Sequence, residues 1–166
     1  MVLMDEDVRP PRFAVLLTGG AVTVATLALS LVPEAGVLAL VGGVLAVAGT
    51  ARGSRRVLGL GTLLELAGGV LAGAASLPAG LVLVGIVGAV LGWDIGEQSI
   101  NAAQQLGSDA VVVRSVVVHA AASTLVGAVS IGLVYTTYLV ATGGQPLAVL
   151  AAFLVGGGLV LLAMRA

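Results

Sequence analysis

Asp94, Glu97, Arg114 and the only histidine of the chain, His119, fall in one polar stretch, GWDIGEQSINAAQQLGSDAVVVRSVVVHA, residues 92–120. Another carboxylate, Glu65, stands inside an apolar run. Asp94, Glu97 and Asn101 recur at i, i+3 and i+7 and so share one face of a helix. An imidazole beside a carboxylate can relay protons or respond to pH. The same groups can instead neutralise one another, with Arg114 and His119 clamping Glu65, Asp94 and Glu97 to hold three helices together, or they can reach the membrane surface and do nothing specific. Ser115 and Ser123 lie four residues either side of His119, so the parts of a nucleophilic triad exist. No G-x-S-x-G elbow accompanies them, because GAVSIG is one residue out of phase, and enzymatic chemistry is not expected. With one His and no Cys, only a carboxylate-rich metal site could form; neither a metal nor a cofactor is expected.

The elements that position these residues are set by the solvent. With 59% hydrophobic and 9% charged residues among 166, the surface of the chain must face lipid. A bilayer core of about 30 Å takes roughly 20 apolar residues as a helix. The pattern predicts an all-α, six-helix integral membrane bundle over 13–166, preceded by a short acidic tail at 1–12. Its helices are expected at about 13–32, 35–50, 57–76, 79–105, 108–141 and 147–164. The arginines test this division independently. Arg9, Arg12, Arg52, Arg55, Arg56, Arg114 and Arg165 all fall on one side, whereas PEAG, SLPAG and TGGQP on the other side hold none. The positive-inside rule then puts both termini in the cytoplasm. Pro33, Pro78 and Pro146 each precede a returning helix, where a missing N–H costs nothing, and the chain reads as three hairpins. A secretory signal peptide is the competing reading of the first apolar run, but that run exceeds the usual 7–15 residues and a retained helix is expected.

Within this frame the fourth helix projects beyond the membrane, turns at Gly107 with Ser108 as a candidate N-cap, and returns as a long fifth helix. Residues equidistant from the turn then face one another, which sets Asp94 level with His119 and Arg114 level with Glu97 to Asn101. Trp93 suits the membrane interface, and Glu65 on the third helix is placed to point toward this cluster. An ionisable residue at membrane depth is a candidate functional group by default. Small residues let helices approach in lipid, so Gly69 with Gly73, and Gly88 with Gly92 and Gly96, are read as contacts within the bundle or, alternatively, as a face for self-association.

The run from Gly92 to Gly127, with the later TTYLVATGGQPLAVL, resembles an uncharacterised family of multi-pass membrane proteins from halophilic archaea. In that family a W-D-x-G-E motif, a Q-L-G turn, an Arg and a V-H-A motif recur in order. The resemblance covers roughly the second half of the chain and implies Trp93, Asp94, Gly96, Glu97, Gln105, Leu106, Gly107, Arg114 and His119 as signature positions. It implies no known activity. It also implies genomic company with a MoxR-type AAA+ ATPase and with von Willebrand-like and transglutaminase-like membrane proteins. The expected role is therefore a non-enzymatic structural or assembly subunit in the cell membrane, with an ATPase or other membrane subunits as partners, and a homo-oligomer is an open alternative. The competing role is a small proton-coupled transporter or channel using Glu65, Asp94, Glu97 and His119. Nucleic-acid binding is not expected, since no basic patch with interleaved aromatic residues exists.

Overall fold

The computed structural model describes residues 10–106 and 110–141, which form helices joined by short turns, with no strand among the described residues. Five helices follow in order: α1 (Arg12–Leu29), α2 (Pro33–Ala51), α3 (Arg55–Ala74), α4 (Ala79–Leu106) and α5 (Ala110–Ala141). All five are long and apolar enough to cross a membrane. Lipid leaves little choice, because a spanning segment must satisfy its own backbone hydrogen bonds. The expected sixth helix at 147–164, its Pro146 and the turn at Gly107 and Ser108 lie outside the described residues.

The chain divides into two compact units, Met1–Ile131 and Gly132–Ala166. Of the second, residues 132–141 are described. There Thr136 and Thr137 donate to the carbonyls of Gly132 and Leu133 at 2.7 and 2.8 Å, which hides both hydroxyls from an apolar surrounding, and Tyr135 stacks on Tyr138.

In the first unit, helix boundaries follow local chemistry more than hydropathy. PEAG, read from sequence as a connection, is the first turn of α2: Pro33 suits the first helical position and Glu34 complements the N-terminal partial positive charge. Likewise α3 begins before Val57, because the Ser54 side chain accepts from the Val57 N–H and so draws Arg55 and Arg56 into the helix.

Two helix ends close in the same way. After α2, Gly53 adopts φ 66°, with Ser54 N–H donating to Gly49 O at 2.8 Å and Gly53 N–H to Thr50 O at 3.1 Å. After α3, Ser76 adopts φ 64°, with Leu77 N–H donating to Ala72 O and Ser76 N–H to Gly73 O, both at 3.0 Å. This is the left-handed terminator that glycine serves without penalty. A side chain there costs about 1–2 kcal/mol, offset by the extra backbone entropy glycine loses on folding, about 0.5–1 kcal/mol. Ser76→Gly is therefore expected to stabilise the protein by about 0.5 kcal/mol, read as a raised midpoint of thermal unfolding in detergent.

Helices α1 and α3 each pack on both α2 and α4, so that the four close a ring. The contact between α2 and α3 is backbone on backbone. A Cβ on Gly42 would stand 2.5 Å from Gly61 O and 2.8 Å from Glu65 N, and one on Gly68 would stand 2.9 Å from Ala35 O. Gly49 meets Leu58, and Gly61 meets Ala46, just as closely. On α4, Gly88 faces Ala21 and Ala25, Gly92 faces Val22, and Gly96 faces Thr50 and Leu58. The glycines of α4 singled out in the sequence thus make contacts within the chain. So do Gly69 and Gly73, which face Ile86 and Val82 of the same α4. The first part of α5 joins through an apolar cluster of Ala14, Ile95, Ala102, Val116 and Ala120.

Candidate functional site

Helix α4 has 28 residues and so extends about 42 Å, well beyond a bilayer core of about 30 Å. Its second half is the polar segment after Trp93, a residue that is 42% exposed. At about 100° per residue, Glu97 and Gln104 turn to one side of Asp94 and Gln98 to the other. The three residues read from sequence as one face therefore serve two neighbours.

Toward α5, Asp94 Oδ2 lies 2.8 Å from His119 Nε2 and accepts from Ser123 Oγ at 2.6 Å. Asp94 and His119 sit level across the two helices, each with about a third of its side chain exposed. His119 also lines a surface depression of about 570 Å³ together with Gln98, Arg114 and Ser115. In a nucleophilic triad the imidazole joins serine and aspartate through its two different nitrogens. Here the serine hydroxyl and His119 Nε2 converge on one oxygen of Asp94, and Ser123 Oγ stands 3.5 Å from that same nitrogen.

Toward α3, Arg55 gathers the rest. Its Nε is 2.9 Å from Glu97 Oε1, and one terminal nitrogen donates to Asn101 Oδ1 and, at 2.9 Å, to Gln104 Oε1. The sequence reading assigned this role to Arg114. In the structure Arg114 makes no ion pair with Glu97 among the described residues; it is exposed in the depression beside His119. The displacement has a simple cause. Helix α3 starts at the membrane end where α4 finishes, so the first-turn Arg55 reaches the polar extension from the other side. The clustering of Arg52, Arg55 and Arg56 opposite a polar helix end was the available signal. Of the remaining signature positions, Gln105 is exposed, Gly96 is buried against Thr50 and Leu58, and Leu106 ends α4.

Glu65 joins neither group. It is fully buried, with both carboxylate oxygens lacking a hydrogen-bond partner among the described residues, as does the buried Thr18 Oγ1. Its side chain lies under Gly42 and Gly43 of α2, and Val22 of α1 meets Gly43 there. A partnerless carboxylate drawn out of water is costly. Two larger grooves, of about 910 Å³ between α1, α4 and α5 and about 590 Å³ between α1 and α2, are lined by no charged residue. No group of three or more His, Cys, Asp or Glu able to hold a metal occurs among the described residues.

No curated protein and no solved structure matches the chain. A protein-family model does, over residues 8–162, which takes in all five helices with their two polar clusters: the chain belongs to the family of unknown function DUF7519.

Proposed function

We propose that this protein is a non-enzymatic subunit of a membrane assembly, held in the cell membrane with the polar end of α4 in the cytoplasm, where a soluble partner docks. The observation that carries this reading is the length of α4, 28 residues, with Glu97, Asn101 and Gln104 on its polar second half held in place by Arg55. Arg12, Arg52, Arg56 and Arg114 belong to the same end and support its cytoplasmic orientation. A side-chain array fixed by hydrogen bonds before a partner arrives loses less conformational freedom on binding than a loose one. The convergence of Ser123 and His119 on one oxygen of Asp94, without a serine-to-imidazole-to-carboxylate relay, supports a structural use of that trio over hydrolysis. An AAA+ ATPase of the MoxR type is the partner to test.

A photo-crosslinking residue placed at the exposed Gln105 is expected to capture this ATPase in mild detergent, and the same residue at the outward-facing Leu125 is expected to capture none. A chain that purifies alone, gives no adduct at Gln105 and conducts protons in liposomes would overturn the reading in favour of a proton-coupled transporter.

A further inference from the structure

We infer that Glu65 is a proton-binding site inside the bundle, exchanging with the side of the membrane on which Arg55 lies. Among the described residues it is the one Asp, Glu, Arg or His that is completely buried, and no cation meets it there. The elements packed around it offer no counter-charge. Helix α1 carries only Arg12, at its first residue. Helix α2 carries only Glu34, at its far end. On α3 itself Arg55 is engaged with Glu97, and Arg56 stands beside it in the first turn. On α4 the charged residues are Asp94, bonded to His119 and Ser123, and Glu97, bonded to Arg55.

The walls decide which cation fits. A metal ion needs several oxygen ligands around it, whereas Glu65 is covered by Gly42, Gly43 and Val22. A proton needs no coordination shell. The hydroxyls decide the side. The other buried polar residues are Thr18, Thr50, Thr62 and Ser99. Thr62 is one turn nearer the start of α3 than Glu65, Thr50 is in the last turn of α2, and Ser99 is on the polar extension of α4. Thr50 also meets Gly96. Each of Thr50, Thr62 and Ser99 donates to a carbonyl of its own helix, that of Ala46, Leu58 and Gly96 in turn, and its oxygen stays able to accept; the three lie between Glu65 and the Arg55 end, a depth of about 15 Å for ten helical residues. The buried, unpartnered Thr18 Oγ1 adds a free hydroxyl on α1.

Dicyclohexylcarbodiimide tests this directly. It is apolar, and it reacts with a carboxylic acid by adding the acid O–H across its C=N bond, so an ionised carboxylate is spared. In proteoliposomes of one orientation, peptide mapping is expected to find the adduct on Glu65. The adduct should be lost when the pH is raised on the Arg55 side, and kept when it is raised on the other side. Because a Glu65→Gln control could fail to fold, the unaltered chain with isotope-labelled glutamate is measured by infrared spectroscopy. A protonated carboxyl stretch that shifts in heavy water is expected. An ionised carboxylate at every pH, or label loss that follows the opposite side, would overturn the inference. The measurement needs no partner, so it stands apart from the fate of the assembly reading.

Discussion

Gly61→Ala lowers the stability of the bundle by about 2–3 kcal/mol, the cost of forcing a methyl group into a full interior. The added carbon would meet Gly42 O and the backbone of Ala46, and main chain cannot swing aside as the tip of a side chain can. Helices α2 and α3 must separate to admit it, which strips contacts along their whole length, since attraction between helices in lipid rests on close approach. Gly59→Ala, two residues earlier on the same helix, meets nothing within 4 Å and should change stability by no more than about 1 kcal/mol, the difference in helix propensity. Unfolding of both variants by steric trapping in bicelles compares them. Equal stability of Gly61→Ala and the unaltered chain would show that the two helices do not approach this closely.

Asp94→Ala carries the second large effect, about 2 kcal/mol, because two donors lose their acceptor at once. Both groups are partly exposed, which keeps the figure below that of a fully buried pair. His119→Ala alone should cost less, since Asp94 keeps Ser123. In a double-mutant cycle the two losses should fall short of additive by about 1 kcal/mol. Arg55 and Glu97 should couple in the same sense but more weakly, as exposed pairs do, whereas Arg114 and Glu97 should be additive. A cycle in which Arg114 couples to Glu97 and Arg55 does not would reverse the assignment of the arginines.

That exchange of arginines marks where reading the sequence stops. Hydropathy was enough to find the five described apolar helices, and counting from the turn was enough to find the level at which Asp94 meets His119, because each depends only on distance along the chain. Which side of α4 faces which neighbour depends on helix rotation, and that is decided by interdigitating glycines. With 25 glycines in the chain, spacing motifs alone did not single out Gly42, Gly49, Gly61 and Gly68 as the ones in backbone contact. The isolation of Glu65 follows from the same contact, since α2 presses close enough to cover it. The starts of α2 and α3 were missed for a local reason, the preference of Pro33 for a first turn and the cap provided by Ser54.

The closeness of α2 and α3 also bears on how the chain is made. A helix carrying a charged residue near its middle and entering lipid alone faces an insertion cost of about 3 kcal/mol. The preceding helix has just left the ribosome and lies one short turn away. If the two associate at the translocon, Gly42 and Gly43 cover the Glu65 carboxyl before any acyl chain meets it. In the proposed orientation, Arg52, Arg55 and Arg56 in and beside the turn hold that end back from crossing. The pair is thus expected to partition into the bilayer as one hairpin, and a glycine in α2 becomes a condition for the biosynthesis of α3.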